Sequence, residues 1–206
     1  MQKKEESDGH SLRKLEIDNL KFELNPHTFK NILQQIQSLS LSTNRAIENL
    51  MQILNYMLYD TEKELVSLEK EIDFVNAYKK MQQAIVPGFV DILFENNLDD
   101  EFIQRKEIAP MLTVGFLENA FKHADTSNKN CFIKISLHNE GEDILVYIVE
   151  NYKSEEELAK PKSGIGYKNL RRRLDLLYKD DYEISTNFSD NTFKAKLKIK
   201  LNNHEN

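Results

Sequence analysis

Hydrophobic spacing changes character once along this chain, and the change divides it. From Ser11 to Gln83 apolar residues recur at intervals of three and four, the period of a helix facing a core. Beyond the "PG" pair, Pro87 and Gly88, segments that alternate every second residue stand between further helical ones. Such a chain is expected to be α+β, helices first and then a unit mixing strands with helices. The expected divisions are a polar linker over 1–10, a helical region over 11–85 and a mixed region over 86–206. With 206 residues there is chain enough for two small cores.

In the helical region, Leu12, Leu15, Asn19 and Phe22 follow one stripe, which Leu33, Ile36 and Leu39 resume. "LSTNRA", residues 41 to 46, supplies a turn, with Thr43 or Asn44 as cap for a second helix bearing Ile47, Leu50, Leu54 and Leu58. Two amphipathic helices joined by a short turn make an antiparallel hairpin. Alone they bury too little, so pairing with a second copy as a four-helix bundle is the natural solution. Ser67 can cap a third helix, whose apolar face is Leu68, Ile72, Val75 and Met81.

In the mixed region "FVDILFE" reads as a strand and Pro110 to Ala124 as a helix with proline in its first turn. "CFIKISLHNE" and "DILVYIVEN" are strands joined through "GED". Tyr152 to Ser163 is a polar loop or lid, Tyr167 to Tyr178 a helix, and "YEISTNF" and "TFKAKLKIKL" a final strand pair around "SDN". The order suggests an α/β sandwich, one sheet covered by helices on one face.

Net charge and cysteine usage narrow the function classes. A charge of −6 and a pI near 5.5 argue against a nucleic-acid binder, which needs a basic face. The single cysteine, Cys131, cannot form an internal disulfide and lies in a strand-like run, so core packing in a reducing, cytoplasmic setting is expected. The longest apolar run, "ILVYIV" at 144 to 149, is strand-sized and far from the about 20 residues of a membrane span. The opening "MQKKEESDGH" lacks the apolar core of a signal peptide.

Three stretches carry candidate chemistry. In "ENAFKHA", Glu118 to Ala124, the residues Asn119, Lys122 and His123 share one side of a helix. An amide oxygen suits Mg²⁺ and a lysine suits phosphate, although a solvated helix face explains the same residues. In "KSGIGYKNL", Gly164 and Gly166 precede a helix start, a place that favours an anion, and an ordinary glycine turn is the alternative. "RRRL", Arg171 to Leu174, is either a further phosphate contact or a solvated charge run. In "ELNPHTFKNIL", Pro26 breaks the helical pattern one position before His27. Either Asn25 caps a new helix there, or the break serves the histidine.

Taken in this order, the three stretches resemble the boxes of sensor histidine kinases of the LytS/YehU-like subfamily. That subfamily typically shows Q-I-N-P-H-F-L-F-N, then P-L-V-E-N-A-x-K-H-G, then G-I-G-L-x-N-x-x-x-R-L. The resemblance runs from about Leu20 to the end, and "YDTEKELVSLEKEIDFVNAYKKMQQ" looks like the family's connecting segment. It implies dimerisation and histidine phosphotransfer helices over 11–85, and a Bergerat (GHKL-type) ATP-binding domain over 86–206. It also implies His27 as phosphoacceptor and Asn31 as the asparagine of the same box. Asn119 then corresponds to the Mg²⁺ ligand, with Lys122 and His123 near the phosphates of ATP. Gly164 and Gly166 match the glycine box beside the lid, and Asn169 and Arg173 match the N-x-x-x-R-L that follows. Adenine would be bound by Asn151 at the end of "IVENY", with Glu150 the competing register.

Implied with these are a homodimer, transfer of the phosphoryl group to an aspartate of a response-regulator receiver domain with a LytTR DNA-binding output, and no direct nucleic-acid binding. The cytoplasmic core would be tied to the bacterial inner membrane only through an upstream segment outside this chain. A neutral imidazole is needed for attack, and an unperturbed pKa of about 6.5 provides it.

The chain departs from the pattern in three places. Glu23 replaces the family glutamine and can reach His27 across one turn, as a proton acceptor or an orienter of the imidazole. Thr28, Phe29 and Lys30 replace F-L-F, and Val114 and Gly115 replace Q-P. Gyrase-like and chaperone ATPases carry a water-activating glutamate where Gly115 stands, which disfavours a simple hydrolase. The rival reading is a catalytically impaired dimeric scaffold that signals by conformation.

Overall fold

A computed structural model of the chain describes residues 44–154 and 165–203. The first described helix, α1, spans Asn44–Asn55 and runs into a π-helical turn, Tyr56–Asp60. After the short strand β1, Val66–Ser67, helix α2 occupies Leu68–Gln83. Ser67 caps it, its side chain accepting from the Lys70 amide at 3.4 Å. Leu68, Ile72, Val75 and Met81 are all buried, as their spacing predicts. The apolar residues of α1 divide. Ile53 faces the core with Tyr56 and Met57 of the following turn, whereas Ile47 and Met51, with Leu58 beyond the helix, are exposed.

A five-stranded mixed sheet forms the other layer, built from β2 (Asp91–Asn97), β4 (Phe132–Glu140), β5 (Ile144–Tyr152), β6 (Tyr182–Ser189) and β7 (Thr192–Lys200). Its order is β2-β4-β5-β7-β6, with β2 parallel to β4 and every other pair antiparallel. Between β2 and β4 lie the short helix α3 (Asp100–Arg105), strand β3 (Lys106–Ile108) and helix α4 (Val114–His123); α5, Ile165–Tyr178, precedes β6. The terminal β8, Asn202–Asn203, joins β3 and β1 in a small second sheet.

Strand alternation decides which sheet face is covered. Ile133, Ile135 and Leu137 of β4, Leu145, Tyr147 and Val149 of β5, and Ala195, Leu197 and Ile199 of β7 are buried and belong to one apolar cluster. That cluster also takes in Phe74 and Val75 of α2, Leu117 of α4 and Leu170 and Leu174 of α5. The opposite face carries ion pairs, Lys134 to Glu95 at 2.9 Å, Lys194 to Glu150 at 3.1 Å and Lys198 to Glu140. One face is core and the other meets water, which is the expected sandwich of one sheet and one helical layer.

Turn chemistry explains the last hairpin. Asp190 and Asn191 take φ of 50° and 57°, the left-handed conformation a tight hairpin needs and these residue types tolerate. Gly141, at φ 65°, turns β4 into β5. The proline expectation fares differently. α4 starts at Val114, four residues after Pro110, because Met111 adopts φ 64° and the Met111 and Thr113 amides bond to a side chain rather than entering the helix.

Candidate functional site

Helix α4 is oriented by what it buries. Val114, Phe116, Leu117 and Ala120 face the core, and Phe116 stacks on Tyr147 of β5 with ring centroids 5.9 Å apart and planes 9° from parallel. With that rotation fixed, Asn119 emerges beside Phe116 and Ala120 at a cleft between helix and sheet. The sheet side of the same cleft is Val149 and Asn151 of β5, Phe193 and Ala195 of β7 and Thr186 of β6; Tyr167 closes it from the start of α5. The space is small, about 290 Å³ including its open mouth. Apolar walls with a few convergent amides are what a small aromatic or nucleoside-like ligand requires.

Sheet register brings Asn151 there. It lies opposite Ile133 of β4 and Phe193 of β7, and its side-chain N–H donates to the Tyr152 carbonyl at 3.1 Å. Glu150 points to the other sheet face, where it pairs with Lys194, so within the described structure the cleft is reached by Asn151 and not by its neighbour. Just beyond, Lys153 is buried, its ammonium 5.7 Å from the Phe193 ring centroid and its amide bonded to the Asn191 carbonyl at 2.8 Å.

The remaining candidates are dispersed around this cleft. Lys122 and His123 occupy the last turn of α4, Lys122 exposed and His123 half-buried, and neither lines the cleft. A cation at a helix C-terminus is favourable on its own account. Asn169 is half-buried on α5, two residues past Tyr167, and Gly166 lies in the first turn of the same helix. Gly164, and with it His27, Glu23 and Asn31, lies outside the described residues. No three His, Cys, Asp or Glu side chains cluster as a metal cage among the described residues. The hard neutral oxygen of Asn119, open to the cleft, fits a magnesium ion that takes its other ligands from phosphate and water.

Arg173 stands apart from the cleft. It is fully buried, and among the described residues its three guanidinium nitrogens have no hydrogen-bond partner. Burial pulls its pKa down, opposed first by the negative charge of Glu71 and then by Tyr178 and Tyr56. Glu71, on α2, is itself buried and accepts from the Tyr56 hydroxyl, the Met111 amide at 3.0 Å, and the Thr113 amide and hydroxyl at 3.0 and 2.6 Å. Burial and the adjacent Glu71 push the Tyr56 hydroxyl well above the usual tyrosine range.

Sequence reasoning did not single out Phe116, Tyr167, Thr186 or Phe193 as cleft walls, nor Glu71. Tyr167 had a signal, since it directly follows the glycine pair. Phe193 and Thr186 had none, because only strand pairing sets Phe193 opposite Asn151 and Thr186 opposite Ala195.

Residues 15–88 match the family profile described as histidine kinase. The chain is 29% identical over 196 residues to the sensor protein LytS of Staphylococcus saprophyticus, covering 87% of this chain and 32% of that protein. It is 27% identical over 189 residues to the LytS of Staphylococcus epidermidis, covering 84% and 32% respectively. The chain therefore spans about a third of the length of these relatives. Among solved structures it aligns with the catalytic domain of the histidine kinase ThkA at 19% identity and TM-score 0.46, over 68% of this chain and 97% of that one. With the blue-light activated histidine kinase of Erythrobacter litoralis the values are 17% and 0.48, over 88% and 62%.

Proposed function

We propose that this chain, a relative of the LytS-type sensor histidine kinases, is the kinase core of a two-component sensor. In this reading ATP occupies the cleft between α4 and the sheet. Asn151 meets the adenine, Phe116, Val149 and Phe193 pack around it, and Asn119 holds Mg²⁺ against the phosphates. A magnesium ion held there would neutralise charge on the transferring phosphoryl group. Lys122, His123 and Asn169 lie around the phosphates, with Gly164 and Gly166 beside the lid; the strand β5 holds Tyr152 and Lys153 is buried, so the lid begins after them.

A nitrogen of the neutral His27 imidazole attacks the γ-phosphorus. The new P–N bond forms as the bond to the bridging oxygen breaks, ADP leaves, and the imidazole proton passes to a base, for which Glu23 is placed by sequence. The phosphoramidate then yields its phosphoryl group to an aspartate of a receiver domain. Asn31 belongs to the same box as His27. Dimerisation through the 11–85 helices, a LytTR output on the regulator and attachment to the inner membrane through an upstream segment belong to the same proposal.

One observation carries this reading: Asn119 of the "ENAFKHA" box and Asn151 at the end of "IVENY" line a single apolar cleft. The exposed Ile47, Met51 and Leu58 side chains agree with a hairpin that packs against further helices. Purified protein incubated with γ-labelled ATP and Mg²⁺ tests it, wild type beside His27→Gln. Acid-labile label in wild type and none in the variant is expected. Label in neither protein supports the scaffold reading instead.

A further inference from the structure

We propose that Glu71 is a positioning residue that sets the Asn119 helix and couples it to the π-helical turn, Tyr56–Asp60, that follows α1. The inference rests on the kinase reading for its functional meaning, but the coupling itself is a property of the fold.

The two carboxylate oxygens divide their work. One accepts both donors of Thr113, the residue immediately before α4. The other accepts the Met111 amide and the Tyr56 hydroxyl. Four donors fill a carboxylate's acceptor sites, and every partner is buried or belongs to a buried residue. Thr113 gives its hydroxyl to Glu71 and makes no side-chain cap of its own, so the carboxylate serves as the external cap of α4. A negative charge at that end also complements the helix dipole. Holding the Met111 amide fixes the left-handed turn that decides where α4 begins.

The second oxygen extends the connection. Tyr56 lies in the π-helical turn closing α1, and its ring stacks on Phe74 of α2 with centroids 4.7 Å apart. A shift of that turn moves the hydroxyl on Glu71, and Glu71 holds Met111 and Thr113, which lead directly into the helix carrying Asn119. Arg173 of α5 is buried as well, and the charge of Glu71 opposes the fall of its pKa. A second path exists through rings alone, Tyr78 of α2 meeting Phe121 of α4 edge-on at 6.2 Å. Removing only the Tyr56 hydroxyl separates the two paths, because the ring stacking stays.

The test is a double-mutant cycle on the full chain with Tyr56→Phe, Glu71→Gln and the pair. Two quantities are read: the affinity for trinitrophenyl-ATP with Mg²⁺, and amide hydrogen exchange over residues 114–123 without nucleotide. Glutamine turns an NH₂ toward either the Thr113 or the Met111 amide and cannot serve both. Expected are affinity losses of about tenfold for Glu71→Gln and about threefold for Tyr56→Phe. Exchange over 114–123 is faster in both, and the pair is no worse than Glu71→Gln alone. Losses that multiply, or wild-type exchange in Tyr56→Phe, overturn the coupling. If the wild type binds no nucleotide the kinase reading falls, and the exchange data alone decide the coupling. Should Glu71→Gln fail to fold, Thr113→Val takes its place in the same cycle, with non-multiplying effects again expected.

Discussion

Asn119 and Asn151 face one cleft from opposite layers, the first from a helix held by Phe116 stacking on Tyr147, the second from the end of a central strand. Their roles in the proposed site differ, so their losses should differ. Asn119→Ala should weaken nucleotide binding about tenfold or more when Mg²⁺ is present and little in EDTA, with an unchanged melting temperature. Asn151→Ala should weaken it under both conditions. Calorimetric titration with and without Mg²⁺ checks this; equal losses in the two media for Asn119→Ala would remove the metal role.

Gly115 sits inside α4 without needing to be glycine. A β-carbon there would meet only the Leu170 side chain, at 3.7 Å, an ordinary contact. Gly115→Ala should therefore stabilise the fold by up to about 1 kcal/mol through helix propensity and a narrower unfolded ensemble. A rise in melting temperature of about 2–4 °C would register it. A fall would mean the helix and α5 pack closer than their side chains indicate.

Cys131 is buried, and burial with the nearby Asp125 pushes its thiol up to about 11. Both block the thiolate, the reactive species. Ellman's reagent at pH 8 should label the native protein far more slowly than the protein in guanidinium chloride, where one thiol per chain reacts. Equal rates would place the side chain at the surface.

Lys106 buries its ammonium between Asp143 at 2.5 Å and Asn203 at 2.6 Å, joining the small sheet to the β4–β5 turn. This pairing lowers the Asp143 carboxyl below its ordinary value of 3.8. A depressed folded-state pKa means the stabilisation is complete above that ordinary value and disappears as pH falls through the lower one. Asp143→Asn should thus be less stable than wild type at pH 7, with the gap closing as pH falls below 3.8. Urea unfolding at pH 7 and at decreasing acid pH measures it; a gap independent of pH would contradict the ion pair.

Much of the architecture was legible from local signals. Ser67 announced α2, the "SDN" link announced the β6–β7 hairpin, and alternation in "CFIKISLHNE" and "DILVYIVEN" identified the two central strands. Each depends on a preference expressed within a few residues, so the surrounding fold had little to overrule. The six-residue helix α3 was missed, although Asp99 and the acidic Asp100 and Glu101 mark its start. Pro110 misled for the opposite reason. Proline does suit a first helical turn, but Glu71 takes the next amides and delays α4 to Val114.

By itself the sequence determined the change from helical to alternating spacing, the turn residues, the one-sided sheet and the box containing Asn119. These follow from periodicity and side-chain chemistry, both of which are local. Tertiary structure alone decided that the two asparagines share a cleft, that Phe193 and Thr186 complete it, and that Arg173 and Glu71 are both enclosed in the interior. Those outcomes depend on strand register and on burying a charge where a distant carboxylate compensates it, and neither is encoded in any short window of the chain.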